Sequence, residues 1–148
     1  MSYIVSLHHI IIRTKTSERT LSLKHSDHLY KYIWGIIKNK KSVLYRINGV
    51  EDHLHLLASI HPTVALSDFV RDIKAESSKM LKRTEGFEKF RAWGEGYASL
   101  TYGIRDKNRI INYIKKQREH HKVVSFRKEY SDFIRDMGFE PDERHFDS

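Results

Sequence analysis

Apolar and polar positions along the chain fall into four strand-like and four helix-like segments. Residues 3–13 crowd Ile4, Val5, Ile10, Ile11 and Ile12 together, the β-branched density of a buried strand. Residues 14–23 are polar and without period, and read as a loop. Ser26 and Asp27 then offer caps to a helix with Leu29, Ile33, Ile36 and Ile37 at helical spacing. Val43, Tyr45 and Ile47 alternate with Leu44, Arg46 and Asn48 in a second strand. It runs into Asn48-Gly49, a favoured hairpin dipeptide, which predicts an antiparallel partner. That partner is residues 53–60, ending before Pro62, where Leu54, Leu56 and Ala58 face one side and His53, His55 and Leu57 the other.

Leu66, Phe69, Val70, Ile73, Ser77, Met80 and Leu81 repeat every three or four residues in a second amphipathic helix. Gly86, Gly94 and Gly96 punctuate an aromatic stretch before a brief fourth strand at residues 97–102. Asp106 is placed to cap a helix bearing Ile110, Ile111 and Ile114, and Phe126, Tyr130, Phe133, Ile134 and Met137 mark a last helix that stops at Gly138. The order β-α-β-β-α-β followed by two helices predicts an α+β fold. Its centre is a ferredoxin-like (split βαβ) antiparallel sheet with helices on one face, plus C-terminal helices. The expected organisation is one domain over residues 1–148: a core at 1–104, a tyrosine-bearing helix at 105–122, and a C-terminal helix with an acidic tail at 123–148. Such a layout hosts many functions, so function has to be argued from sites.

Composition narrows the classes. A chain of 148 residues and 17.6 kDa suits one compact domain. No run approaches the ~18 apolar residues of a membrane span, and the first apolar segment is broken by His8 and His9 without a basic leader. A cytoplasmic protein is expected. Cysteine is absent, so a metal site here must be built from histidine and oxygen ligands, and no thiol nucleophile is available. Lys and Arg number 27 against 19 acids, for a net charge of +8. Seven of those acids and only two bases lie in residues 129–148, so the preceding body carries the positive charge. Such a field attracts polyanions; a solvated lysine-rich surface without a ligand is the plainer reading.

His53 and His55 project from one strand face, with backbones about 6–7 Å apart, and both rings can reach one cation at ~2 Å. Ten histidines in 148 residues make about 0.7 such pairs a chance expectation, so the pair by itself also fits two polar residues on a half-exposed face. Tyr113 and Gln117, spaced i and i+4, share one helix face. The amide oxygen of Gln117 can serve as a hard neutral ligand beside two imidazoles, with the Tyr113 phenol one turn away as a nucleophile. A core tyrosine beside a solvated glutamine is the alternative, although Ile110, Ile111 and Ile114 already make an apolar stripe without Tyr113.

These residues resemble the single-tyrosine HUH transposases encoded by the smallest bacterial and archaeal insertion sequences. The likeness runs through residues 3–15, ending in Thr14-Lys15, and Glu51-Asp52-His53-Leu54-His55-Leu56-Leu57 with Pro62 after it. It continues through Lys74 with Ser77-Ser78, Trp93-Gly94-Glu95-Gly96-Tyr97, Tyr113-Ile114-x-x-Gln117 with His120, and the segment 126–130. The resemblance implies that His53, His55 and Gln117 bind Mg²⁺ or Mn²⁺ and that Tyr113 attacks a phosphodiester in single-stranded DNA, leaving a 5′-phosphotyrosine link and a free 3′-hydroxyl. It implies no nucleotide cofactor, hairpin-forming element ends as the DNA partner, no membrane, and a homodimer whose tyrosine helix acts in trans.

Lys74, Lys79, Arg109, Lys115 and Arg118 are candidates for DNA backbone contacts, and each also fits a solvated surface position. The segment 16–20 is less basic than in relatives, and His61, His120 and His121 are expected as exposed loop and helix-end residues. Relaxases place the tyrosine before the histidine pair, the reverse of the order here. Two other readings stay open: a domesticated regulator that binds hairpin DNA or RNA without strand transfer, and a nuclease that hydrolyses through metal-bound water with Tyr113 only packing.

Overall fold

The computed structural model describes residues 1–148, apart from the side chains of Glu143 and His145. Strands β1 (Leu7–Arg13), β2 (Val43–Gly49), β3 (His53–Ser59) and β4 (Ala98–Tyr102) form one antiparallel sheet in the order β2-β3-β1-β4. Helix α1 (Ser26–Asn39) links β1 to β2, and α2 (Leu66–Lys82) links β3 to β4, which is the ferredoxin-like arrangement. Helices α3 (Lys107–Lys115), α4 (Gln117–His120) and α5 (Phe126–Asp136) follow.

Strand alternation decides which layer each residue serves. Ile10 and Ile12 of β1 and Leu54, Leu56 and Ala58 of β3 are wholly buried, in one core with Leu29, Ile33 and Ile37 of α1 and Phe69, Val70 and Ile73 of α2. Emptying one such position, as in Leu56→Ala, costs about 2–5 kcal/mol. The opposite sheet face is mixed. Leu7 and Leu57 pack against Ile110 and Ile114 of α3, while Ile11 and Ala98 pack against Phe126 and Tyr130 of α5 and Phe146. Between these two apolar clusters the C-terminal helices enclose His9, His53 and His55, all buried.

Several local expectations are corrected. The first strand begins at Leu7, not at residue 3, and Tyr3, Ile4 and Val5 are exposed. Both neighbouring strands end opposite Leu7, at Ser59 and Tyr102, so the ladder stops there, and of the residues before it Ser6 still accepts from Ile60 N at 3.1 Å. Asn48 and Gly49 do not form the hairpin turn; they pair with His55 and Leu54, and residues 50–52 make the turn. Glycine is needed at 49 because a Cβ there would lie 2.3 Å from the His53 carbonyl oxygen. Neither Ser26 nor Asp106 caps through its side chain: Ser26 Oγ donates to Leu23 O at 2.9 Å, and Asp106 accepts from Arg109 at 3.2 Å.

The expected helix over 105–122 is two helices, broken at Lys116, whose φ of −93° and ψ of 12° leave the helical region. No Gly or Pro lies in residues 107–120 to mark the break. Its tertiary partner is Asn48, buried on β2, whose amide donates to the carbonyls of Ile114 and Lys115 at 3.1 Å each. Those carbonyls are end-of-helix acceptors that need a donor, and the strand supplies it.

Candidate active site

His53 and His55 point from β3 into the space beneath the C-terminal helices, and both are wholly buried. His121, just past α4, and Glu129, on α5, meet them from the other layer. Glu129 Oε1 lies 3.1 Å from His55 Nε2, 3.0 Å from His121 Nε2 and 3.5 Å from His53 Nε2. The amide oxygen of Gln117 lies 3.3 Å from His53 Nε2 and 2.9 Å from His121 Nε2, and its amide nitrogen donates to Glu129 Oε2 at 2.9 Å. One ligand atom from each of His53, His55, His121 and Glu129 lies within 4.8 Å of the others.

The outward sides of the three rings are also held. His53 Nδ1 is 2.7 Å from Asp52 Oδ1, and His121 Nδ1 is 2.8 Å from the Val124 carbonyl. Both partners are acceptors, so with a cation bound the ring proton would sit on Nδ1 and each Nε2 lone pair would face the ion; without one, the same Nε2 atoms donate to the Glu129 carboxylate. His55 Nδ1 contacts His9 Nε2 at 2.8 Å. Three imidazole Nε2 atoms with two oxygens aimed at one point form a donor set suited to a divalent cation, and the residues present fit one.

Burial and charge oppose each other here. Burial alone would raise the Glu129 carboxyl, but hydrogen bonds from His121, His53 and His55 outweigh it and hold the group far below the usual carboxylate range. Burial would likewise lower His53, yet Asp52 and Glu129 raise it above an ordinary histidine. His55 is pushed down to about 4, first by burial, with His53 and His121 adding repulsion. His9 is pushed down to about 3 by burial and then by His55.

Tyr113 sits in the last turn of α3, 36% exposed, and its hydroxyl donates to Glu129 Oε2. Burial, the Glu129 charge and that hydrogen bond together raise the phenol pKa. The ring lies 5.9 Å from that of His55 and 5.8 Å from that of His120. It opens on a cleft of about 360 Å³ whose lining includes His9, Tyr102, Arg109, His120 and Lys128. The break at Lys116 does not separate Tyr113 from Gln117, because both side chains end on the Glu129 carboxylate.

The five basic candidates are dispersed. Arg109 lines the cleft with its guanidinium 5.6 Å from the Tyr102 ring. Lys115 is exposed near the helix break, and Lys79 is exposed on α2, in the layer across the sheet. Lys74 Nζ donates to the carbonyls of Gly94 and Gly96 at 2.9 and 2.6 Å, and Arg118 donates to Ser26 Oγ at 2.8 Å.

Sequence reasoning missed His121 and Glu129. His121 was expected to be an exposed helix-end residue, yet its side chain is 7% exposed and enters the cluster. Its signal was the spacing of four from Gln117. Glu129 falls between Phe126, Tyr130 and Phe133 on the apolar stripe of α5, and an acid on such a stripe marks a buried partner.

A split βαβ sheet carrying His-x-His on β3 beneath a helix with an exposed tyrosine defines the single-tyrosine HUH class of nucleic-acid enzymes. The family described as "Transposase IS200 like" matches residues 3–117, more than three quarters of the chain. This chain belongs to that IS200-like transposase family. Transposases for insertion sequence element IS200 from Salmonella typhimurium and Salmonella typhi are each 36% identical to it over 77 residues, 49% of this chain and 50% of the relative. The chain therefore spans about half the length of these curated relatives. Two solved structures share the fold. One is a putative transposase from Deinococcus radiodurans R1, with TM-score 0.58 and 24% identity, over 79% of this chain and 95% of that one. The other is a REP-associated tyrosine transposase bound to a REP hairpin, with TM-score 0.61 and 14% identity, over 84% and 73%.

Proposed function

We propose that the protein is a transposase that cleaves and rejoins single-stranded DNA at the ends of an insertion sequence. The observation that carries this reading is the meeting, in one chain, of a partly exposed tyrosine with three inward-turned imidazoles, Gln117 and Glu129. Family membership and the IS200 relatives support the transposition it serves. In this reading the chain is one HUH domain, residues 1–104 forming the sheet core, 105–122 carrying the nucleophile and 123–148 closing the site.

His53, His55 and Gln117 are the expected ligands of a divalent ion, and the geometry adds His121 and Glu129, which lie beyond the segment that the family matches. When bound, Mg²⁺ or Mn²⁺ neutralises charge on the strand phosphate and favours an ionised phenol, whose ordinary pKa is near 10. The imidazole-rich set leans toward Mn²⁺. Tyr113 Oη forms the new bond to phosphorus as the bond to the 3′ oxygen breaks, giving the 5′-phosphotyrosine link and a free 3′-hydroxyl. A 3′-hydroxyl attacking that link restores the DNA and releases Tyr113, so no nucleotide cofactor is required. The Glu129 carboxylate aims the phenol beforehand and keeps it protonated in the resting site.

The REP hairpin held by the structural neighbour supports hairpin DNA as the partner here. Arg109 is the basic candidate placed at the cleft; Lys79 and Lys115 are exposed and supply long-range attraction. The resemblance implies a homodimer with exchanged tyrosine helices. Tyr113 already contacts its own chain's Glu129 here, and we propose assembly of the site in cis. Incubation with single-stranded element ends and Mn²⁺ or Mg²⁺ should give a protein–DNA adduct that survives denaturation. An adduct that persists in Tyr113→Phe, or hairpin binding with no adduct on any strand, overturns the reading.

A further inference from the structure

Arg13 ends β1 on the same sheet face as the histidines, with its Cα opposite that of His53. It is only 2% exposed, and its Nε has no hydrogen-bond partner among the described residues. Lys74 stands beside it, lowered to about 8 by burial and then by the Arg13 charge. Gly94 makes room for the guanidinium, since a Cβ there would lie 2.1 Å from Arg13 Nη1. No Asp or Glu side chain among the described residues forms an ion pair with either cation. Backbone carbonyls of Gly94, Glu95 and Gly96 accept from them, and a buried guanidinium beside a half-buried ammonium, neither paired to a side-chain carboxylate, favours an anion held between them.

Ser148 occupies the place of that anion. Its main-chain oxygen accepts from Arg13 Nη1 at 2.8 Å and its hydroxyl from Nη2 at 3.1 Å. The Thr16 amide donates to the same main-chain oxygen at 3.2 Å. Two oxygens on one guanidinium fork, joined by a backbone N–H, reproduce the way proteins grip a backbone phosphate. Phe146 anchors the segment, buried against Phe126 and Tyr130 with the Arg127 guanidinium 4.4 Å from its ring. The turn beneath is strained: Thr16 and Ser17 have φ of 52° and 56°, left-handed values for non-glycine residues.

From this geometry we propose that Arg13, Lys74 and the Thr16 amide form a subsite for a backbone phosphate of single-stranded DNA, adjacent to the histidine cluster, and that residues 146–148 fill it as a strap the DNA displaces. The proposal rests on the single-stranded DNA reading above. It brings Lys74 and the Gly94-Glu95-Gly96 turn, two separate motifs of the sequence, to one site at the end of β1.

The test is binding of a labelled oligothymidylate in chelator, read by fluorescence anisotropy. Phe146→Ser, which frees the strap, should tighten binding about tenfold, the worth of one charge-assisted contact. It should steepen the slope of log affinity against log salt by about 0.7, one phosphate more. Adding Arg13→Gln should remove the gain. Unchanged affinity in a folded Phe146→Ser protein, or a gain that persists in the double variant, overturns the proposal. Should Phe146→Ser not fold, the wild-type chain decides: the Thr16 amide and Arg13 guanidinium NMR signals should shift on adding the oligonucleotide, and unshifted signals overturn it. Failure of the DNA reading itself looks different, as absence of a Tyr113-dependent adduct.

Discussion

The hydroxyl of Tyr113 donates to the same Glu129 carboxylate that gathers His53, His55 and His121. One side chain on α5 thereby couples the candidate nucleophile to the candidate metal ligands, and it links α3 to the sheet through the site itself. The consequences can be measured separately at each partner.

Tyr113→Phe removes one hydrogen bond from a partly exposed ring and should cost the fold only about 1 kcal/mol. Adduct formation should fall to background while the melting temperature stays within a few degrees of wild type. Normal cleavage by this variant would instead indicate hydrolysis by water.

Asp52 fixes His53 by accepting from its Nδ1. Asp52→Asn should weaken Mn²⁺ binding about 10–100-fold, as loss of an outer partner does elsewhere. Calorimetric titration of the purified chain reads this directly, and an unchanged affinity would remove His53 from the ligand set.

Stability should fall with acid in chelator. His9 and His55 are held at about 3 and about 4, below the 6.5 of an unfolded histidine. As pH drops below about 6.5 the unfolded chain takes up these protons first, so stability present above that pH is lost toward about pH 4. His53, raised, works in the opposite sense: its contribution is full below about 6.5 and fades as pH rises through its native value. Two groups outweigh one, and urea denaturation should show a loss of a few kcal/mol between about pH 7 and pH 5. His9→Phe should flatten that slope; an undiminished slope would mean that His9 is not held neutral.

Asn48→Ala should leave the carbonyls of Ile114 and Lys115 without their donor, costing about 1–3 kcal/mol. Because Tyr113 lies in that last helical turn, adduct formation should slow more than Mn²⁺ affinity drops. Equal losses in both would show that Asn48 supports the fold and does not specifically position the nucleophile.

Mixing Tyr113→Phe with His53→Ala chains separates the two assemblies. A site completed within each chain recovers no adduct from the mixture, whereas exchange of tyrosine helices restores part of the activity.

Periodicity was enough to read the sheet and the first two helices, because burial of apolar stripes leaves a direct trace in spacing. The alternation Leu54, Leu56, Ala58 against His53, His55, Leu57 is the clearest case, and both faces are occupied as it predicts. The positions of elements followed, while their ends did not. β1 starts at Leu7, where its neighbours end, and apolar residues 4 and 5 carry no sign of that limit.

The site divides in the same way. His-x-His and Tyr-x-x-x-Gln are local patterns, so the sequence by itself determined the strand face and the helix segment that bear them, along with the cysteine-free donor chemistry. Tertiary structure alone decided that His121 and Glu129 complete the cluster, that Asn48 meets the helix end at Lys116, and that Ser148 closes over Arg13. Each of these contacts joins residues far apart in the chain or from different layers. Their strength comes from desolvation between layers, which does not exist until the C-terminal helices cover the open face of the sheet.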